Sequence, residues 1–210
     1  MSDSPAHRDD RNRGGRRCEP AYGEFELTVV GRTLRFRTQA GVFSADGPDA
    51  GSLLLLDSVL PAVKPHMTVV DLGTGIGLIG LAVAGLLSRG EVWMVDSDIR
   101  AVRLAEQNVQ RNGITNAHVV LGDVTLDLPP GLRFDLVVSN PPTHSGKEVL
   151  ARFVDESYTV LRPGGHMYVV VNRLLSIRTM IADRFGDAEQ VDRRKGFVVL
   201  AAQKPRRMRD

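Results

Sequence analysis

A glycine-rich segment follows a short apolar run and contains residue types that suit a ligand site. Asp71 ends the apolar run, and Gly73, Thr74, Gly75 and Gly77 follow it, just before a stretch that predicts an apolar helix. Glycines let the backbone turn sharply and approach a ligand closely, and the amino terminus of a helix offers unpaired N–H groups. We therefore expect this segment to form one wall of a binding site.

Single aspartates end the next two apolar runs. The carboxylate of Asp96 can accept two hydrogen bonds from a ribose diol, although a plain helix cap is the alternative. Ser97 or Asp98 can provide that cap, which favours the ribose role for Asp96. Asp123 follows a third run, where it could accept from an adenine amino group or serve only as a turn residue.

An asparagine and two prolines follow the fourth apolar run. Pro141 and Pro142 lack backbone donors and stiffen the loop, so the Asn140 side chain and the Pro141 carbonyl are predicted to be fixed acceptors. Two rigid acceptors suit an amino group. Chemistry at such a group needs no metal and no nucleophilic side chain, and the sequence contains no plausible arrangement for either.

A dinucleotide site is the main alternative for the glycines. Gly75, Gly77 and Gly80 satisfy the G-x-G-x-x-G pattern, and Asp96 follows Gly75 by 21 residues. However, the dinucleotide pattern places its first glycine directly after the strand, whereas Gly73 and Thr74 lie between the predicted strand and Gly75 here. The acceptors after the fourth run are also unexplained by a nicotinamide enzyme.

The chemistry-bearing segments need a scaffold that brings the ends of strands together. Strands are predicted at 68–72, 91–96, 118–121, 134–139 and 166–172, with a turn at 163–165 before the last of them. Helices alternate with these strands and are predicted at about 52–60, from the glycine loop to about residue 87, before Asn112-Gly113 and at about 175–185. The inner face of the helix before Asn112-Gly113 is predicted to be apolar and to carry Ile99, Val102, Ala105 and Val109. A hairpin around Gly31-Arg32 opens the domain, and two last strands flank Lys195-Gly196. This alternation predicts an α/β fold with a mostly parallel sheet and an antiparallel strand from the terminal hairpin.

Composition excludes several classes of protein. The 210 residues are 42% hydrophobic and 25% charged, as in a globular domain, and the net charge of +2 does not identify a partner. The single cysteine, Cys18, and five histidines without ligand spacing argue against disulfides and against a metal site. No apolar segment is long enough to cross a membrane, so a cytoplasmic protein is expected.

The ends of the chain differ from the middle. Residues 1–20 are polar and are predicted to be a disordered, solvated tail, with an RNA-binding arm as the less favoured alternative. The domain is predicted over 21–203, with 21–65 as an amino-terminal extension, and 204–210 form a basic tail. The tail and the basic hairpin residues (Arg32, Arg35 and Arg37) could contact phosphates or could only be solvated.

The motifs together resemble a known enzyme family. DLGTGIG, VDSD, GD and NPPT resemble class I S-adenosylmethionine-dependent methyltransferases that act on amino nitrogens. With GVFSADGPDAGSLLLL upstream and NPPTHSG downstream, the chain resembles the small methyltransferase domain of 16S ribosomal RNA guanine-N2 methyltransferases over about residues 22–203. The resemblance implies a Rossmann-like, seven-stranded sheet preceded by a β-hairpin, S-adenosylmethionine as cofactor, and ribosomal RNA as partner and substrate.

The resemblance also implies roles for individual residues. Asp71 and the loop of Gly73, Thr74, Gly75 and Gly77 would hold the methionine end of the cofactor, Asp96 its ribose and Asp123 its adenine. Asn140, between cofactor and substrate, would bind the target nitrogen with Pro141 and Pro142. The residues expected to line the mouth of the site are Phe43, Ser44, Thr143 and His144, although His144 could also be a loop residue without a chemical role.

Two departures from the family leave the substrate open. Thr143 stands where the family usually has an aromatic residue that stacks on the base, and the chain has one domain where relatives often have two in tandem. Glutamine amides in protein release factors are an alternative substrate for this motif, but an aromatic residue usually follows the prolines there as well, so Thr143 also argues against that alternative. A nicotinamide-dependent oxidoreductase and an RNA-binding module without catalysis are the alternatives from other classes.

Overall fold

The computed structural model of the chain describes residues 22–42, 47–125, 127–141, 146–172 and 175–206. The first half of the chain contains β1 (Tyr22–Val29), β2 (Arg32–Gln39), α1 (Ala50–Val59), a 3-10 turn (Leu60–Ala62), β3 (Thr68–Leu72), α2 (Leu78–Ala84), β4 (Glu91–Asp96) and α3 (Ile99–Arg111). The second half contains β5 (Ala117–Leu121), β6 (Phe134–Ser139), α4 (Lys147–Val160), β7 (Leu161–Val171), α5 (Leu175–Phe185), β8 (Glu189–Arg194) and β9 (Phe197–Gln203).

Seven of these strands form one mixed sheet in the order β5-β4-β3-β6-β7-β9-β8. Strands β3 to β7 are parallel, and β9 runs antiparallel between β7 and β8. The predicted Rossmann-like sheet with an antiparallel terminal strand is therefore confirmed. The strand order reverses between β3 and β6, and a crevice forms at the carboxyl ends of strands at such a reversal.

Alternating residues of the central strands fill two hydrophobic cores, one on each face of the sheet. Val69 packs in the core formed with the hairpin and helices α1 to α3, whereas Val70 packs in the core formed with α4 and α5. Both side chains are fully buried. Strands buried on both faces appear in the sequence as continuous apolar runs, which explains why β3, β4 and β6 were predicted at their observed bounds.

The opening hairpin turns one residue earlier than predicted. Val30 and Gly31 form the turn, both with positive φ, and Arg32 already pairs with Val29. A type I′ hairpin turn requires positive φ at both central positions, and glycine suits the second as well as the first. Assigning Gly31 to the first position was therefore wrong by one residue.

Two asparagines, one in α3 and one at its carboxyl cap, attach the hairpin to that helix. Asn108 accepts from the backbone N–H of Arg37 at 2.7 Å and donates to its carbonyl at 3.1 Å. Asn112 makes the same pair of bonds with Arg35, both at 2.8 Å. Four residues along a helix and two along a strand both span roughly 6 to 7 Å, so the carboxamides match the edge of β2.

Several helix and strand boundaries differ from the prediction. Helix α1 begins at Ala50 because Asp49 caps it, and α2 ends at Ala84 rather than near residue 87. Ile99 was predicted to face the core, but it is 44% exposed, and the polar Asn108 occupies the buried face of α3 instead. Strand β7 begins at Leu161, so the predicted turn at 163–165 lies within it as an irregular register against β6.

Two further observations concern only the part of the chain that the structure describes. None of its helices has the length and apolar character needed to cross a membrane. None of its clusters of three or more histidine, cysteine, aspartate or glutamate side chains is suited to a metal ion.

Candidate active site

The loop between β3 and α2 is shaped by alternating glycines. Gly73, Gly75 and Gly77 all have positive φ, a conformation that side chains with a β-carbon rarely adopt. The N–H groups of Gly73 and Thr74 both donate to the carbonyl of Val95, at 2.9 and 3.0 Å. The loop is thereby held against the end of β4.

Gly80 serves a different purpose from the loop glycines. A β-carbon at Gly80 would lie 2.4 Å from the sulfur of Met94, which no real contact allows. Gly80 therefore permits the close packing of α2 on β4, and its position in a G-x-G-x-x-G string reflects helix packing.

Asp71 lies beneath the loop and is fully buried. One carboxylate oxygen accepts from the hydroxyl of Thr74 at 2.7 Å and from the N–H of Gly80 at 2.9 Å. The other oxygen has no hydrogen-bond partner among the described residues. Burial raises the pKa of Asp71 to about 7, a shift that its two hydrogen bonds oppose and the nearby charge of Asp96 increases.

Asp96 joins the glycine loop to the start of α3. Its two carboxylate oxygens accept from the N–H of Gly75 at 2.8 Å and from the N–H of Asp98 at 2.9 Å. Asp98 caps α3 by accepting from the N–H of Arg100, as the sequence predicted. Each oxygen of Asp96 retains a second lone pair that can accept from a hydroxyl group.

A cavity of about 430 Å³ opens between the carboxyl ends of β3, β4, β5 and β6. Asp96, Asp123, Asn140 and Pro141 line it together with Gly73 and Gly75. Its apolar walls include Leu72, Val95, Val124, Leu150 and Phe153. This volume and this mixture of apolar walls with a few convergent polar groups are typical of a cofactor site.

The loop after β5 is held by α4. Arg152 lies 2.7 Å from the carboxylate of Asp123 and 2.6 Å from that of Glu156. Glu156 in turn accepts from the backbone N–H and the hydroxyl of Thr125, at 2.9 and 2.8 Å. The side chain of Asp123 is 61% exposed and paired with Arg152, so its backbone is the part best placed to contact a ligand.

The side-chain amide of Asn140 is oriented by the start of α1. Its nitrogen donates to the carboxylate of Asp49 at 3.2 Å and to the hydroxyl of Ser52 at 3.0 Å. Because a carboxylate can only accept, the nitrogen and not the oxygen of the amide must face Asp49. No described residue donates to the amide oxygen of Asn140, which is left as an acceptor at the cavity.

The structure brings together part of the predicted site. The residues that line this cavity are Gly73, Gly75, Asp96, Asp123, Asn140 and Pro141. Asp71, Thr74 and Gly77 lie behind its wall and support the loop. The remaining predicted site residues, which are Phe43, Ser44, Pro142, Thr143 and His144, lie outside the described residues.

Some residues of the site were not predicted. Asp49 and the apolar run after it carry the sequence signature of a capped helix, but nothing local shows that Asp49 reaches Asn140, 91 residues away. Arg152 and Glu156 show the i, i+4 spacing of a helical ion pair, a signal that does not reveal their contacts with the loop after β5. Gly41 and Val42, at the end of the hairpin, also line the cavity.

The fold and the cavity define a Rossmann-like methyltransferase, with a cofactor crevice at the strand-order reversal and acceptors beside it. The chain belongs to the methyltransferase small domain family, whose model matches residues 33–201. The family and the fold confirm the prediction of S-adenosylmethionine as the cofactor and exclude the oxidoreductase alternative.

Comparisons with known proteins agree with this assignment. The chain is 31% identical to the uncharacterized protein YbxB of Bacillus subtilis, over 82% of this chain and 87% of that protein. It is 37% identical to the ribosomal RNA large subunit methyltransferase G of Streptomyces avermitilis, over 79% of this chain and 44% of that protein. A structure of the T. thermophilus 16S rRNA N2 methyltransferase RsmC, in complex with AdoMet and guanosine, matches with a TM-score of 0.79 and 31% identity, over 87% of this chain and 50% of that one. The chain thus spans about half the length of the ribosomal RNA methyltransferases that it matches.

Proposed function

We propose that the chain transfers a methyl group from S-adenosylmethionine to the exocyclic amine of a guanine in ribosomal RNA. The observation that carries this proposal is the orientation of Asn140. Its amide nitrogen is engaged by Asp49 and Ser52, so its oxygen is the group presented to the cavity. An oxygen acceptor suits a substrate that has N–H groups to donate.

The acceptors act on the nucleophile. An exocyclic amine on a purine ring is a poor nucleophile because its lone pair is delocalised into the ring. The Asn140 oxygen and the Pro141 carbonyl would hold the two amine hydrogens, aim the lone pair at the donor and stabilise positive charge as it develops on nitrogen. S-adenosylmethionine supplies an electrophilic methyl group bound to a positively charged sulfur.

The cavity fits this cofactor. Asp96 would accept from the ribose hydroxyls with its unused lone pairs, and the glycine loop would lie along the methionine part. Apolar side chains such as Val124 would contact the adenine, and the backbone of Asp123 could bind its amino group. Asp71 and Thr74 would act indirectly by holding the loop in shape.

The RNA substrate is inferred from the relatives. The T. thermophilus structure contains guanosine as well as AdoMet, and the Streptomyces relative is a ribosomal RNA methyltransferase. A guanine in folded RNA must leave its stack to reach a cavity, at a cost of a few kcal/mol that is smallest in loops and single strands.

A methyl-transfer assay tests the proposal. The wild-type chain is incubated with labelled S-adenosylmethionine and deproteinised ribosomal RNA, and nucleosides are identified by mass spectrometry. We expect N2-methylguanosine. A methylated glutamine amide in release factor, with no methylated guanine, would instead assign the chain to the protein-modifying branch.

Variants of the acceptor test its role. Asn140→Ala should reduce single-turnover transfer at least about 100-fold while cofactor affinity stays near wild type, because one preorganised polar contact is removed. Ser52→Ala should reduce transfer less, since Asp49 still holds the amide. Ser58→Ala is the matched control, because its hydroxyl on the same helix bonds only the carbonyl of Leu54 among the described residues. Equal rates in wild type and Asn140→Ala would refute the acceptor role.

A further inference from the structure

The hairpin between β8 and β9 carries three consecutive cations at its tip. Arg193, Arg194 and Lys195 are all exposed. Lys195 and Gly196 form a two-residue turn with positive φ at both positions, and Arg194 pairs with Phe197 directly below it. The tip is therefore held by a strand ladder, which gives its charges a defined position.

The tip lies at the edge of the sheet where the cavity opens. Ser139 pairs with Val169 and Val170 pairs with Val199, so Asn140 and Val199 lie at about the same level. From Val199 the chain of β9 leads back to the turn in the direction of the carboxyl ends of β6 and β7. Strand geometry places the turn about 10 Å beyond Asn140 and about 10 Å to its side.

Helix α1 connects the tip to the acceptor. The guanidinium of Arg194 pairs with Asp57 of α1 at 2.8 Å. A β-carbon at Gly51 would lie 3.0 Å from the ring of Phe197, so the start of α1 packs closely on the hairpin. The same helix start positions Asn140 through Ser52. The tip and the acceptor are thus parts of one packed unit.

Two of the three cations are available for a ligand. Arg194 is neutralised by Asp57 and lies 3.5 Å from Asp192. Arg193 and Lys195 form no ion pair with any residue that the structure describes. Arg100 and Arg152, which also lie near the cavity, are paired with Asp98 and with two carboxylates of the β5 loop and α4.

The other basic segments are engaged or lie at the opposite edge. Arg32 donates to the carbonyl of Asn112 at the far end of α3, and Arg35 pairs with Glu26. Lys204 follows the end of β9 that lies beside the start of β7, and its ammonium group donates to the carbonyls of Tyr158 and Leu161. Among the basic residues compared, Arg193 and Lys195 of the β8–β9 tip lie at the edge with the cavity and form no ion pair with a described residue.

We infer that Arg193 and Lys195 bind phosphates of the RNA strand whose target base enters the cavity. The inference rests on the proposed RNA substrate. When one base leaves its stack, the neighbouring phosphates stay outside the cavity, and cations beside its mouth can bind them. Such contacts position the strand without reading its sequence.

A salt titration of RNA binding tests the inference. The double variant Arg193→Gln/Lys195→Asn removes both charges, and asparagine tolerates the positive φ at 195. The control, Lys64→Gln/Arg89→Gln, removes two exposed charges that precede β3 and β4, at the opposite edge of the sheet. Binding of a fluorescein-labelled RNA hairpin with guanosines in its loop is followed by anisotropy from about 50 to 300 mM KCl.

We expect the tip variant to lose affinity and salt dependence together. The slope in question is that of the logarithm of the RNA-binding constant against the logarithm of the salt concentration. The loss of two phosphate contacts should reduce its magnitude by about 1.4 to 1.8 and should reduce the affinity at about 0.15 M salt roughly 10- to 30-fold. The KM for RNA should rise while kcat at saturating RNA and the cofactor affinity stay unchanged. The control should behave as wild type.

Several outcomes would overturn the inference. Equal slopes in the tip variant and the control would refute the phosphate contacts, because the slope would then either follow net charge in both variants or stay at the wild-type value in both. Binding of a polyglutamate peptide in place of the RNA hairpin would assign the tip to an acidic protein. The proposed function fails separately: a slope difference without any N2-methylguanosine would retain the phosphate contacts and remove the guanine assignment.

Discussion

Single polar side chains at this site each serve two partners. Asp96 accepts from two backbone N–H groups and is expected to accept from the cofactor ribose with its remaining lone pairs. Asn140 donates to α1 and presents its oxygen to the cavity. The cost of removing such a residue therefore includes both the ligand contact and the loop that the residue holds.

The first prediction concerns Asp96. Asp96→Ala should weaken cofactor binding by about 1.5 to 3 kcal/mol, the usual loss for a charged hydrogen-bond partner, measured by titration calorimetry. Asp98→Asn is the control, because asparagine caps a helix as well as aspartate does and the variant also removes one charge beside the cavity. Unchanged affinity in Asp96→Ala would exclude the ribose contact.

The second prediction concerns the pH dependence of stability. The carboxyl of Asp71 has a pKa of about 7 in the folded chain, whereas an unperturbed aspartate has a pKa of 3.8, so between these values the folded chain keeps a proton that the unfolded chain has released. The contribution of Asp71 to stability is therefore fully present below about pH 4 and is lost as the pH rises to about 7, by an amount on the order of 4 kcal/mol.

Urea denaturation of wild type and Asp71→Asn from pH 5 to 8 measures this effect. The asparagine cannot ionise, so its free energy of unfolding should lack the part of the decline that Asp71 causes. If the two curves run parallel across this range, Asp71 does not carry the proton.

The sequence predicted which polar residues lie at the strand ends, but it did not predict the side chains that these residues contact. Asp96 and Asn140 stand directly after apolar runs, and parallel strands must bring such positions to one edge. The contact of Asn140 with Asp49 depends on how α1 packs across β7 and β9, and no local pattern reports that packing. The supporting role of Asp71 was hidden for the same reason, since its burial results from the packing of α2.

At the scale of elements, the opening hairpin is attached by side-chain amides. Asn108 is fully buried and also donates to the carbonyl of Ile76 at 2.9 Å, at the end of the glycine loop. One residue thus links β2, α3 and the cofactor loop. The buried position of Asn108 was not predicted, because the sequence pattern assigns only apolar residues to the inner face of α3.

The third prediction follows from this link. Asn108→Ala should lower the free energy of unfolding by about 2 to 4 kcal/mol, because it leaves the N–H and carbonyl of Arg37 and the carbonyl of Ile76 without their partner. Asn112→Ala, at a less buried position, should cost about 1 kcal/mol. Urea titration measures the free energy of unfolding of both variants. Equal losses in the two variants would contradict the prediction that Asn108 contributes more to stability than Asn112.

Elements with strong patterns were predicted almost to the residue. Strands β3, β4 and β6 and helix α5 have the predicted bounds because continuous apolar runs and turn signals coincide there. Boundaries shifted where a side chain or a register irregularity decides them, as at the cap of α1 and the start of β7. The turn at Lys195-Gly196 was predicted correctly, since its glycine occupies the second central position.

At the scale of the molecule, the direction of each strand determines at which edge of the sheet a basic residue lies. The β8–β9 tip lies at the edge with the cavity, whereas Lys204 lies at the other edge and binds the last turn of α4. Sequence alone shows seven cations against one acid from Arg193 to Asp210 and cannot distinguish these edges. Deletion of 204–210 would therefore remove a structural contact together with any effect on RNA.

The fourth prediction separates these two effects. Lys204→Met removes an ammonium group that donates at 2.7 and 2.8 Å to the carbonyls of Tyr158 and Leu161, so it should lower stability by about 1 to 2 kcal/mol. The salt slope of RNA binding should not change. Thermal unfolding and the anisotropy titration measure both, with Lys64→Met as control. A changed slope with unchanged stability would place Lys204 on the RNA surface.

The hydrogen bonds between the two asparagine side chains and β2 protect two backbone N–H groups from exchange with solvent. The N–H groups of Arg35 and Arg37 donate to the side chains of Asn112 and Asn108, so their exchange with deuterium requires that the helix and the hairpin separate. Strand β2 leads to Gly41, which lines the cavity. The rate of deuterium uptake at these two positions would thus report how often β2 separates from α3 beside the cavity, without any attached label.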